Sequence, residues 1–309
     1  VNGKPCCNPA RHGSSVAAAF TPRTRGTAGE LVALGGGEFV MGTDSLDGFP
    51  DDGEGPARTV HVDPFSITST TVTNAQFTAF VRDTGYITQA EALGSSFVFY
   101  LQVPPALRSQ IRHVPTGLPW WLEVRDACWQ RPEGPGSHVR ERMDHPVVHA
   151  SWHDAQAYCE WAGVRLPTEA QWEFAARGSL PGARYVWGDE DPPEAHCNVW
   201  QGSFPDEPAQ GWRPGTMAAA SHEPNGFGLY GMAGNVWEWC EDWFHPHYHR
   251  NTAASNPVQS QPTGRRATRG GSFLCHESYC NRYRVAARGS NTPESSASNI
   301  GFRVVAAPG

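Results

Sequence analysis

The sequence predicts an irregular, loop-rich α+β fold in one domain, with little regular secondary structure. Three observations predict it. The 309 residues include 33 glycines and 26 prolines, well above the roughly 12% that these two residues usually contribute. Twelve tryptophans offer large side chains for a core that few regular elements can build. The periodic stretches are short, of both helical and strand type, and without a repeat of fixed length.

Taken in order, residues 1–27 mix Pro, Ser, Ala, Arg and Thr without a period and read as a flexible N-terminal tail. The domain proper is expected over 28–309. Residues 31–41 alternate around Gly35-Gly36-Gly37 and predict a hairpin. An acidic, turn-rich loop follows at 47–58. The β-branched run 58–73 predicts strand. Asn74 is the expected N-cap of a helix with Phe77, Phe80 and Val81 on its apolar face and Gly85 as its stop. A second helix is expected over 151–163, ended by Gly163. A third starts at Thr168, where Gln171 stands at capping-box spacing, and ends at Gly178. From about 180 onward, loops with short strands are expected, among them 266–274 and 299–305.

The net charge is −7, and no Lys/Arg run stands out. Nucleic acid and anionic membranes are therefore not the expected partners. No apolar stretch of about 18 residues is present to span a bilayer.

Eight cysteines are too few for a disulfide scaffold. They are Cys6, Cys7, Cys128, Cys159, Cys197, Cys240, Cys275 and Cys280, and spacing alone does not pair them. Cys275 and Cys280 stand in "GGSFLCHESYCNRYR", a spacing that suits neither a zinc knuckle nor a thioredoxin-type pair. Five extended residues would span roughly 17 Å. If the two sulfurs share one ion, the segment must fold back on itself. Soft thiolates select Cu(I), zinc or iron–sulfur clusters, and zinc prefers four ligands. One pair of thiols therefore favours Cu(I), with a further position left for an incoming sulfur. A structural disulfide, a redox-active disulfide and two unrelated buried thiols remain open on spacing alone. The run "HPHYH" at 245–249 reads as solvated polar residues.

The ordered set "GGGEFVMGTD", "RLPTEAQWEFAARG", "NVWQGSFP", "GNVWEWCEDW" and "GGSFLCHESYCNRYRVAARGSNTPESSASNIGFR" resembles the formylglycine-generating enzymes, or sulfatase-modifying factors. The resemblance runs from about residue 30 to 305. The helix motif and "GNVWEW" mark the wider fold family, whereas the Cys275–Cys280 segment is its specific part. A catalytically silent paralogue lacks those two thiols. The resemblance implies a fold related to C-type lectins. It implies an oxidoreductase that converts the cysteine of a Cys-x-Pro-x-Arg motif in a nascent or unfolded sulfatase to Cα-formylglycine, using O2 and Cu(I) on Cys275 and Cys280. Ser272 would line the oxygen side, Tyr279 would orient substrate or relay a proton, and Trp239 and Asn299 would lie along the substrate cleft. A Ca2+ site is implied at Gly234, Asn235, Val236 and Glu238. A second is implied at Asn198, Val199 and Trp212, although Gln210 stands where the family has an aspartate; Asp206 or Glu207 is the available substitute.

The resemblance also implies disulfide positions, of which Val304, Ala176 and Val285 have lost the cysteine. Cys159 thus lacks its partner. This points to a reducing compartment, with a cytoplasmic location expected. Cys197 and Cys240 are left either as a pair or as two buried thiols, and Cys6 and Cys7 as exposed thiols. The protein is expected to act as a monomer. Two other classes are set against this reading. One is a non-catalytic peptide- or sugar-binding module of the same fold. The other is an iron enzyme of the wider family, whose His-x3-His-x-Glu ligand set is missing from this sequence.

Overall fold

A computed structural model of the chain describes residues 8–11, 22, 25–190 and 192–307. Three well-capped helices anchor it. Helix α1 (Asn74–Thr84) starts from Thr73, not from Asn74 as its composition suggested. The Thr73 hydroxyl accepts from the Gln76 N–H, and the Gln76 side chain accepts from the Thr73 N–H. Asn74 instead donates its amide to the Arg142 carbonyl. After the short α2 (Gln89–Leu93), helices α3 (Trp152–Ala162) and α4 (Glu169–Arg177) carry the same reciprocal box at Ser151/Asp154 and Thr168/Gln171. Each box satisfies two of the N–H groups that a helix start leaves without partners. Left-handed glycines 85, 163 and 178 end α1, α3 and α4 as expected.

The strands are short and divided among small sheets. One sheet joins Leu31–Leu34, Phe65–Thr68, Val305–Ala306 and Val164–Arg165. A second joins Gly289–Asn291, Arg266–Arg269, Trp237–Trp243 and Ile300–Gly301. The expected hairpin over 31–41 does not form. Leu31–Leu34 pairs with Phe65–Thr68, whereas Gly37–Met41 pairs with Arg58–Val62. Gly36 (φ +64) takes the chain from one sheet to the other, and its α-carbon lies so close to the Val62 carbonyl that a Cβ would sit 2.4 Å from that oxygen. The run 58–73 likewise breaks into two strands at Asp63-Pro64.

Packing between these pieces is aromatic. Phe77 touches Phe80 and Trp129 edge-on, each at 5.2 Å, and stacks on Tyr158 at 6.2 Å. Trp161, Trp237, Trp239 and Phe302 continue the same cluster, which also holds Cys275 and Cys280. Each such ring pair adds roughly 0.5–1.5 kcal/mol beyond area burial. The result is the loop-rich α+β fold that the composition predicted. Among the described residues, no helix is long and apolar enough to cross a membrane.

The stretch expected as a tail is not uniform. Residues 8–11 lie against the domain, and Asn8 is buried. The Asn291 amide donates to the Pro9 carbonyl, and the Arg11 N–H donates to Ser295. These polar anchors follow no period, so a reading for periodicity passes over them. Cys6 and Cys7 lie outside the described residues.

Candidate active site

The site is built where the Arg266–Arg269 strand ends. Gly270 and Gly271, at φ +91 and +73, turn the chain out of the sheet in a conformation that side-chain-bearing residues rarely adopt. The Phe273 N–H then bonds to the Asn235 carbonyl, and the Cys275 N–H bonds back to the Ser272 carbonyl. Residues 276–280 close a tight turn. The Cys280 N–H donates to the His276 carbonyl at 2.8 Å, and His276 pairs with Cys280 as an antiparallel bridge. The His276 ring, 2.8 Å from the Ser278 hydroxyl, braces the same turn.

This turn brings the two sulfurs to 3.3 Å. A disulfide requires about 2.05 Å, so the pair is not covalently joined. Both cysteines are fully buried. Cys275 also lines a cavity of about 310 Å³ with Val199, Trp200 and Tyr283. Two soft donors converging on one point fit a thiophilic ion such as Cu(I), and the fold-back that this chemistry demands is present.

Around the pair, Ser272 accepts from the Asn299 amide at 3.0 Å and from the Leu274 N–H at 3.3 Å. Its own O–H remains to donate. Asn299 is held in turn by its carbonyl, which accepts from the Trp237 N–H. Tyr279 is half-buried against Trp120 and Phe204, with ring centroids at 5.0 and 5.1 Å. Trp239 gives its indole N–H to the Ala150 carbonyl and has no second donor for a ligand. It is fully buried, in the same core cluster as Cys275 and Cys280.

The calcium expectations fare differently. Both Glu238 oxygens face Arg303, at 2.6 and 2.8 Å, and one also accepts from Trp172. The Asn235 side-chain oxygen accepts from the Met217 N–H and the Asn198 amide. The Asn198 carbonyl accepts from the Asn235 N–H. The two expected sites therefore meet in one hydrogen-bonded cluster, next to the bridge between Asn198 and Gly234. Val199 is buried, and Trp212 packs edge-on against Trp200. Asp206 accepts from the Tyr100 hydroxyl. A hard cation wants six to eight oxygens, including anionic ones. These side-chain oxygens already carry N–H or O–H donors, so the residues as arranged do not fit Ca2+.

The remaining thiols are accounted for. Cys128, Cys159, Cys197 and Cys240 are buried and unbridged; Cys197 and Cys240 even sit in different core clusters. Burial pushes the Cys159 and Cys197 thiols above their usual range, which keeps them inert. His247 is exposed as expected, but His245 is half-buried and His249 is buried. Burial lowers its pKa to about 4. Among the described residues, no group of three or more His, Cys, Asp or Glu side chains is placed to hold a metal.

One residue near the thiols was missed. Asn8 accepts from the Asn299 amide at 3.2 Å, which puts the N-terminal segment against the Ser272–Asn299 pair.

Fold and site together define an irregular α+β domain whose distinguishing feature is a buried, convergent thiol pair. The family model described as the sulfatase-modifying factor enzyme 1-like domain matches residues 16–308. The formylglycine-generating enzyme of Streptomyces coelicolor is 53% identical over 296 residues, covering 94% of each chain. A Bos taurus relative named inactive C-alpha-formylglycine-generating enzyme 2 is 44% identical over 283 residues, covering 90% of this chain and 88% of its own. Among solved structures, PvdO from Pseudomonas aeruginosa superposes with a TM-score of 0.66 at 23% identity, over 93% of this chain and 99% of that one; that likeness concerns the fold. The chain belongs to the sulfatase-modifying factor family, that of the formylglycine-generating enzymes.

Proposed function

We propose that the protein is an O2-dependent oxidase that converts the cysteine of a Cys-x-Pro-x-Arg motif in a sulfatase polypeptide to Cα-formylglycine. The observation that carries this reading is the 3.3 Å approach of Cys275 and Cys280, within a family that includes both active and inactive relatives. Cys275 and Cys280 are the residues that would hold Cu(I), which when bound supplies one-electron chemistry toward O2. The other residues position and exclude. Asn299 and the Leu274 N–H fix Ser272 so that its hydroxyl hydrogen is available to an incoming group. Trp120, Phe204 and Tyr279 form an aromatic wall on the turn side and keep water from the thiols.

The balance sets one requirement. A –CH2–SH group and O2 give –CHO, hydrogen sulfide and water only if two electrons and two protons enter, so a thiol reductant has to supply them.

The test is a Cys-x-Pro-x-Arg peptide incubated in air with thiol reductant, with and without added copper, and followed by mass and aldehyde capture. Conversion should require copper. Cys275→Ser and Cys280→Ser should each abolish it while the melting transition stays cooperative. Unchanged peptide with folded, reduced, copper-loaded protein rejects the proposal. The competing reading, a non-catalytic binding module, has no use for thiols held at this separation.

A further inference from the structure

The segment that rests on Asn299 has a sequence of its own. Residues 7–11 read Cys-Asn-Pro-Ala-Arg, which is the Cys-x-Pro-x-Arg pattern of the proposed substrate. Cys7 lies outside the described residues, but Asn8, Pro9, Ala10 and Arg11 are placed. They run from the thiol site to a carboxylate. At one end the Asn8 side chain accepts from Asn299, the residue that also holds Ser272. The Pro9 carbonyl accepts from Asn291 at 3.0 Å. The Arg11 N–H donates to Ser295 at 2.8 Å, and the Arg11 carbonyl accepts from Thr292 at 2.8 Å. At the other end the guanidinium donates to Glu123 at 3.0 Å and to the Ser95 carbonyl at 3.0 Å. Arg11 and Glu123 are 14% and 15% exposed, so this pair is shielded enough to matter.

We propose that residues 8–11, the x-Pro-x-Arg part of the pattern, are an intramolecular substrate mimic: they occupy the groove of the external sulfatase segment, which must displace them to reach the thiols. This rests on the proposed function and deepens it. Three features support it. The pattern's proline and arginine are both bound, the arginine by a carboxylate. The backbone is held on both sides of Ala10 by side chains of the 291–295 loop, as a groove would hold any extended peptide. The direction is right, because Asn8, the N-terminal residue of the placed stretch, touches the residue that fixes Ser272. A tethered segment faces its groove at an effective concentration of millimolar order. An external peptide therefore binds with an affinity reduced by the fraction of molecules whose groove is open. Glu123 follows as the residue that receives the external arginine.

The test uses metal-free, full-length protein and a fluorescein-labelled peptide carrying Ser-Ala-Pro-Ala-Arg, with serine in place of cysteine so that no turnover occurs. Binding is read by anisotropy. Arg11→Ala and Asn8→Ala should each bind the peptide about tenfold more tightly than the wild type. Exposed Arg82→Ala should match the wild type. Adding Glu123→Ala to Arg11→Ala should remove the gain. Thermal melts confirm folding, and either of the two segment variants suffices. Equal, measurable binding by the wild type and a folded segment variant overturns the mimic and leaves the proposed function standing. No binding by any variant up to millimolar peptide overturns both.

Discussion

Glu54→Gln tests whether the thiol turn depends on a charged clamp. Past Cys280, three arginines fix the chain to the 47–54 loop. Arg282 pairs with Asp52, Arg284 with Glu54, and Arg288 donates to the carbonyls of Asp52 and Gly53. The Arg284–Glu54 contact is bidentate, at 2.6 and 2.8 Å, and its side chains are 2% and 4% exposed. Replacing the carboxylate leaves a buried guanidinium facing a neutral amide, which typically costs about 3–5 kcal/mol. Asp47 lies 3.9 Å from Arg284 and keeps some compensation, so the lower end, about 3 kcal/mol, is expected. That corresponds to a fall in Tm of roughly 5 °C. Urea unfolding should show a lower midpoint at unchanged m-value. Adding Arg284→Met should recover much of the loss, because an apolar pair carries no unmet charge. A loss under about 1 kcal/mol, or strictly additive single effects in the double variant, would refute the reasoning.

Three further outcomes are expected. Asn299→Ala removes the donor that fixes Ser272 and should lower kcat of the peptide reaction by about tenfold or more; an unchanged kcat removes Ser272 positioning from the mechanism. Gly271→Ala places a methyl 2.8 Å from the Arg282 carbonyl at φ +73 and should cost about 1–3 kcal/mol in urea unfolding; no loss would mean that the turn relaxes freely. His149 lies buried between the Ser96 hydroxyl and the Pro132 carbonyl, and burial pushes its pKa from 6.5 down to about 4. The unfolded chain therefore takes up a proton over that range and the folded one does not. The stability this gives is present above pH 6.5 and lost as the pH falls toward 4. Between pH 6.5 and 4.5, His149→Gln should lose about 2 kcal/mol less stability than the wild type, and parallel curves would contradict the sign.

What the sequence determined by itself was local or chemical. Thr168 and Gln171 announce α4 because a capping box is written in residues three apart. Gly85, Gly163 and Gly178 announce helix ends because few other residues accept a left-handed backbone. The fold-back of 275–280 followed from chain length against the size of a shared ion. The tertiary structure alone decided which strands pair, and so the 31–41 hairpin gave way to two sheets. It decided that Glu238 faces Arg303, since the carboxylate's partner lies 65 positions away in the chain. It also decided that Asn8 rests on Asn299 and Arg11 on Glu123. Their partners, Asn299 and Glu123, are brought alongside by folding, and contacts between distant polar groups leave no period in a sequence.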